Sequence, residues 1–132
     1  MKTYLLSLLV LVIGAVTPAL ALPNTVREQT ESFASCLGRY SATMEHEWLL
    51  GRDGMEARER RALFETLLEA ITPDARAAGL DGPQVLHIRI EAKMTQARLL
   101  STAHFDLDPR RARYARITAE RLMSTCQQMV LG

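Results

Sequence analysis

The sequence has few aromatic residues and almost no excess of either charge. Only 5% of its 132 residues are Phe, Trp or Tyr and the formal charge is +1, whereas 48% are apolar and 23% are charged. This composition excludes a disordered tail, a collagen-like fibre and a polytopic membrane protein, and it fits one globular domain. Without a basic excess, the chain is also a poor candidate for binding nucleic acid.

The sequence lacks the motifs that identify the common reaction classes and cofactors. It contains no HExxH zinc motif, no glycine-rich phosphate loop, no CxxC pair and no CxxCH haem-attachment motif. Ser101, His104 and Asp106 supply the residue types of a nucleophilic triad, but they crowd together at the end of a predicted helix, with no strand-turn-helix to hold a nucleophile. We therefore expect no enzymatic activity and no cofactor, and a hydrolase ranks third among the function classes.

Long apolar runs are absent except at the N-terminus. Lys2 precedes an apolar run over residues 5–16, which leads to the small-residue sequence Ala19-Leu20-Ala21, the order of a secretory signal peptide. About a dozen apolar residues are too few to span a bilayer as a helix. We predict cleavage after Ala21, leaving residues 22–132 as one domain without a transmembrane segment. Because nearly all the remaining basic residues are Arg, as is typical of GC-rich bacterial genomes, the predicted location is the periplasm or the secreted fraction.

Cysteine is scarce, with one residue near each end of the predicted mature chain, Cys36 and Cys126. In an oxidising compartment an isolated pair most often forms an intramolecular disulfide. Closing a loop of about 90 residues would stabilise the fold by roughly 4 to 5 kcal/mol in the chain-entropy model. An intermolecular bridge and two free thiols are the alternatives.

Four segments space their apolar residues by threes and fours, so the sequence predicts an all-α fold. The predicted helix starts carry capping signals, namely Thr25 with Glu28, Asp53 with Glu56, Asp81 before Gly82-Pro83, and Asp108 before Pro109. The predicted ends are Gly51, Thr72-Pro73, Ala103 and Val130, with a separate short turn over residues 73–78. Residues 85–90 also alternate as in a strand, but a lone strand would have no partner, so helix is preferred.

The predicted disulfide would join the first and fourth helices of an up-down-up-down four-helix bundle and fix how they face each other. In the antiparallel register that it implies, Phe33 lies opposite Met129, and Trp48 approaches Tyr114. Tyr114 and Ile117 lie off the main apolar stripe of the fourth helix, so we expect them to face a neighbouring helix or a partner.

An unusual polar row runs through the apolar arc of the third helix. It consists of Arg89, Lys93 and Gln96, with His104 near its far end. One interpretation is structural: the two cations reach water over apolar surface or pair with Glu47, Glu65 or Glu69. The other is a cationic groove for an anionic or amphiphilic ligand, or for the acidic side chain of a protein partner.

A second cluster of cations lies in the first turns of the fourth helix, where positive charge opposes the helix dipole. Its members are Arg110, Arg111, Arg113 and Arg116. In the predicted register they lie near Glu45 and Glu47, which would account for them structurally. They also suit a phosphate or carboxylate bound at the helix N-terminus.

Two pairs of residues are weak candidates for metal binding. Met44 and His46 would suit Cu(I), but helical spacing sends the first to the apolar arc and the second to the polar one. His87 and Glu91 share a polar face, but two ligands do not make a specific site.

The sequence therefore predicts a non-enzymatic binding protein of the cell envelope. Its expected ligand is an envelope protein or an anionic small molecule, held by the polar row and the arginine cluster. A copper- or zinc-handling protein is the alternative.

Overall fold

The computed structural model describes residues 25–131, which form four α-helices. They are α1 (Val26–Leu49), α2 (Met55–Ala77), α3 (Gly82–Phe105) and α4 (Pro109–Leu131). Turns of three to five residues join consecutive helices, as in an up-down-up-down bundle. The all-α prediction is confirmed, including the helical assignment of residues 85–90. The predicted signal peptide, residues 1–21, lies outside the described residues.

Side chains cap the N-termini of three of the four helices, as the sequence predicts. Thr25 Oγ1 accepts from the Glu28 amide at 3.1 Å, and the Glu28 carboxylate accepts from the Thr25 amide at 3.2 Å. Asp81 and Gln84 form the same reciprocal pair at the start of α3. At α4, Asp108 Oδ1 accepts from two of the first free amides of the helix. These bonds satisfy donors that have no partner within the helix.

The start of α2 differs slightly from the prediction. Its N-cap is Gly54, in the left-handed conformation with φ 64°, and Asp53 instead accepts from the Met55 amide at 3.0 Å. The Trp48 indole folds over this turn and donates to the Asp53 carbonyl oxygen at 3.0 Å. A side chain at Gly54 would press against that indole and would strain the backbone.

The predicted end of α2 at Thr72-Pro73 is wrong, because the helix continues through Pro73 to Ala77. The prediction rests on the residue before a proline, here Thr72, which disfavours the α region. Here the Thr72 hydroxyl donates to the Leu68 carbonyl oxygen at 2.7 Å, and Ala75 is buried in the following turn. Tertiary packing therefore maintains a helix that local preference would end.

Helix α1 contacts each of the other three helices. The predicted disulfide is confirmed: Cys36 is bonded to Cys126 of α4, with their Cα atoms 5.6 Å apart. On its α2 side, α1 packs Leu37 and Tyr40 around Phe64, and the Tyr40 and Phe64 rings stack with centroids 5.6 Å apart. This cluster forms the hydrophobic core.

Toward α3, α1 presents a face of small residues. Ala34, Gly38 and Ala42 recur every four residues, so they share one side of the helix, and all three are buried. A Cβ atom built on Gly38 would collide with the carbonyl oxygen of Arg89 and lie 3.0 Å from the amide nitrogen of Lys93. The α1 and α3 backbones therefore touch at this glycine, which fixes the position of α3.

Helices α2 and α3 leave a groove of about 240 Å³ between them, in which α1 contributes Leu37. On the other side of the bundle, α3 packs on α4. Among residues 25–131, no helix has a stretch long and apolar enough to cross a bilayer.

Candidate functional site

A cleft of about 480 Å³ lies between α3 and α4, and we call it the α3–α4 cleft. Helix α3 contributes Thr95, Arg98, Leu99 and Thr102 to its lining. Helix α4 contributes Arg110, Arg111, Tyr114 and Ala115. The two sets face each other because the turn between the helices has only three residues, 106–108.

The turn holds the start of α4 firmly against the end of α3. Asp106 accepts from the amide of Asp108 at 2.8 Å and from the Arg111 guanidinium at 3.0 Å. Arg111 also lies 3.6 Å from the Asp108 carboxylate. Its charge is therefore matched by two carboxylates, and its role is to hold the turn rather than to supply free positive charge.

The other two arginines of the cleft have no carboxylate partner in the described part of the chain. No carboxylate lies within 4.0 Å of the guanidinium of Arg98 or Arg110, and Arg98 makes only a long contact, 3.5 Å, to the Thr95 hydroxyl. Leu99 and Ala115 supply apolar surface at the same place. The cleft thus combines apolar walls with two cations that lack counter-charges.

The three residues of the polar row on α3 do not form one groove. Lys93 Nζ lies 2.6 Å from the carboxylate of Glu45, so the expected partners Glu47, Glu65 and Glu69 are wrong for this lysine. Arg89 lines the α2–α3 groove together with Glu65 and Glu69. Gln96 is only 1% exposed, and neither its Oε1 nor its Nε2 has a hydrogen-bond partner within residues 25–131.

The arginine cluster of α4 is also divided. Arg110 and Arg111 reach the cleft, Arg113 is exposed, and Arg116 lines a separate cavity of about 300 Å³ beside Gln96. The expected ion pairs between this cluster and α1 do not form. Instead, Glu45 pairs with Lys93, and Glu47 pairs with Arg52, whose Nη2 lies 2.7 Å from Glu47 Oε1.

The expected divergence of Met44 and His46 is confirmed. Met44 packs against the hydrophobic core, whereas the His46 ring lies 5.7 Å from the His104 ring and 6.2 Å from the Phe105 ring, centroid to centroid. Burial disfavours the charged imidazole and lowers the pKa of His46, and the nearby His104 lowers it further.

The other weak candidates remain apart from any metal-binding cluster. His87 Nε2 lies 3.8 Å from the Glu91 carboxylate, and both side chains are largely exposed. Within residues 25–131, no group of three or more His, Cys, Asp or Glu residues is placed to hold a metal ion.

Two of the residues that could belong to a nucleophilic triad have other contacts. Asp106 binds Arg111, and His104 packs on His46 and Phe105.

Sequence reasoning missed the contribution of α3 to the cleft. Thr95, Arg98, Leu99 and Thr102 are spaced by threes and fours, so they share one helix face. A turn of three residues brings that face against the first turns of α4. The spacing of these four residues is visible in the sequence, but it does not show that this face, rather than the one with the polar row, meets α4.

Comparisons of the chain with protein-family models, curated proteins and solved structures give no match.

Proposed function

We propose that the protein is a non-enzymatic binding protein that holds an anionic amphiphile in the α3–α4 cleft. By this we mean a small molecule with one carboxylate or phosphate group and an apolar body. The observation that carries the proposal is the pair Arg98 and Arg110, two cations without carboxylate partners beside an apolar cleft. An unpaired guanidinium offers several donors in a planar fork that matches a carboxylate or a phosphate.

The size and lining of the cleft fit such a ligand. Its volume, about 480 Å³, lies within the range of small-molecule sites in proteins, roughly 300 to 1,000 Å³. Leu99, Ala115 and the Tyr114 ring would cover the apolar body, while the arginines would bind the head group. The same arginines would donate to the carboxylate of a protein partner equally well, so the test uses a free small molecule to show that the cleft binds one.

We place this function in the periplasm or the secreted fraction. Support comes from the predicted signal peptide over residues 1–21 and from the Cys36–Cys126 disulfide, which is compatible with an oxidising compartment. An amphiphile binder in the envelope would work beside lipids and their breakdown products.

Calorimetric titration with decyl phosphate below its micelle concentration tests the proposal, with decyltrimethylammonium as the cation of equal chain length. We expect saturable binding of the anion and none of the cation. The double variant Arg98→Gln/Arg110→Gln should weaken binding at least tenfold. Arg58→Gln/Arg60→Gln removes the same charge from α2 and should leave the affinity unchanged.

Three results would contradict the proposal: equal binding of both detergents, no binding of either, or the same loss in both double variants. Far-ultraviolet circular dichroism and the melting temperature would establish that each variant is folded. Equal binding of the two detergents would mean that the protein adsorbs their shared alkyl chain and does not recognise the anionic head group.

Metal handling is the second candidate, and the His46–His104 pair is the observation that favours it. Two imidazoles from different helices would need a further ligand from outside this pair. A rise in melting temperature with added Zn²⁺ or Cu(I), lost in His46→Gln, would support this function. An unchanged melting temperature would reject it.

A further inference from the structure

A stripe of apolar and cationic side chains runs along the outer side of α4 and the turn before it. Its members are Leu107, Arg110, Tyr114, Ile117 and Arg121, which we call the α4 outer face. Arg110, Tyr114, Ile117 and Arg121 are spaced by threes and fours within α4 and therefore lie in one line, and Leu107 lies in the turn just before the helix. Leu107 is 99% exposed, Tyr114 73% and Ile117 37%, and it is their grouping on one face, rather than the exposure of each, that indicates an interaction surface.

The charge around this face is predominantly positive, and the acidic residues of segment 107–131 are Asp108, which caps α4 beside Leu107, and Glu120. Helix α4 contains five Arg and one Glu, and neither Arg110 nor Arg121 has an ion-pair partner in the described chain. Cations that alternate with exposed apolar groups match a surface that is negatively charged outside and apolar beneath. An anionic lipid bilayer has both properties.

We propose that the α4 outer face docks the protein on the surface of an anionic lipid bilayer. Leu107, Ile117 and the Tyr114 ring enter the boundary between head groups and acyl chains, where amphipathic aromatic rings are favoured. Arg110 and Arg121 extend along the apolar surface and bind lipid phosphates.

A second copy of the chain fits this face less well than a bilayer does. A two-fold contact through α4 would bring the five arginines of one copy against the five of the other, with Asp108 and Glu120 of each copy as the acidic residues on this helix and its cap. A protein groove is also a poorer fit, because Leu107 stands free at the tip of a turn rather than on the side of a helix.

This inference goes beyond the proposed binding of an amphiphile, because it concerns docking rather than the cleft. The two sites share Arg110 and Tyr114. Leu107 and Ile117 belong only to the α4 outer face, and Arg98 only to the cleft. Variants at these three positions therefore separate the failure of one proposal from the failure of the other.

Co-sedimentation of the disulfide-bonded protein with vesicles tests the inference. We expect at least tenfold stronger partition onto vesicles of equal parts phosphatidylglycerol and phosphatidylcholine than onto vesicles of phosphatidylcholine alone. About 0.5 M salt should release the bound protein, because it screens the attraction between the arginines and the lipid phosphates. Leu107→Asp/Ile117→Asp should reduce the partition at least tenfold, and Arg121→Gln about fivefold. Decyl phosphate should still bind the first variant.

The matched control is Leu86→Asp/Ile90→Asp, which places two carboxylates on half-exposed apolar positions of α3. It should bind anionic vesicles nearly as well as the wild-type protein. The inference is overturned if the wild-type protein does not bind anionic vesicles, or if both double variants lose binding equally. It is also overturned if Leu107→Asp/Ile117→Asp instead converts a dimer into a monomer in sedimentation analysis, which would make this face a contact between copies.

Discussion

Substitution of Gly38 by alanine should destabilise the protein, although alanine is the better helix former. Gly38 lies in the middle of α1, where its lack of a side chain lets the α3 backbone approach. The added Cβ would collide with the Arg89 carbonyl oxygen and would crowd the Lys93 amide. Both neighbours are backbone atoms inside a helix, so neither can turn aside as a side chain would.

The magnitude follows from two opposing effects. Replacing glycine by alanine within a helix is worth about 0.5 to 1 kcal/mol of stabilisation in the absence of contacts. Forcing one extra carbon into a packed interface typically costs about 1 to 3 kcal/mol, because the helices must separate and lose contacts along their length. Taking the middle of each range, the free energy of unfolding should fall by about 1 kcal/mol, or roughly 4 to 6 °C in melting temperature for a domain of this size.

Urea unfolding monitored by circular dichroism measures this difference. Gly82→Ala is the control for glycine replacement without a packing clash, because a Cβ at Gly82 meets no atom within 4 Å outside its two chain neighbours. Its free energy of unfolding should fall by less than that of Gly38→Ala, since the added Cβ meets only the backbone restriction of a residue before proline. A Gly38→Ala protein as stable as the wild type, or more stable, would refute the close α1–α3 contact.

Three further predictions concern buried or paired polar groups. Gln96→Met removes an amide that is buried without partners and should raise the free energy of unfolding by about 1 to 3 kcal/mol in urea, whereas a fall would show that the amide is satisfied by bound water. A double-mutant cycle with Glu45→Gln and Lys93→Gln should give a coupling of about 0.2 to 1 kcal/mol, because both side chains are partly exposed, and a coupling several times larger would contradict that exposure. Because the pKa of His46 lies below its ordinary 6.5, the unfolded chain takes up a proton there before the folded chain does, so stability should fall as the pH drops below about 6.5. His46→Gln should flatten the pH dependence of the melting temperature between about pH 7 and 5, and identical slopes in the two proteins would argue against this origin.

The helices could be read from the sequence because their signals are local. Thr25, Asp81 and Asp108 cap their helices because each side-chain oxygen accepts a hydrogen bond from a backbone amide two or three residues further on. The predicted end of α2 at Thr72-Pro73 is wrong because continuation through a proline depends on contacts with residues distant in sequence. The burial of Ala75 in the following turn is set by the whole fold, and no local pattern reveals it.

The faces of α3 could not be assigned from the sequence. Apolar residues occur nearly all round this helix, so its periodicity does not indicate which side meets α1 and which meets α4. The orientation of α3 is set by Gly38, whose missing side chain lets the backbone of Arg89 and Lys93 contact α1. This contact places the polar row on the side of α3 that faces α1. The sequence shows that four arginines lie in the first turns of α4, but the division between Arg110 in the cleft and Arg116 beside a separate cavity depends on how the helices pack.

Binding of an anionic amphiphile between α3 and α4 is tested most directly by titrating isotope-labelled protein with decyl phosphate and following its backbone amide resonances. We predict saturable shifts concentrated at residues 95–102 and 110–115, with little change in the α2–α3 groove around Leu37. Shifts centred on that groove, or no saturable shift at any amide, would contradict the proposed site.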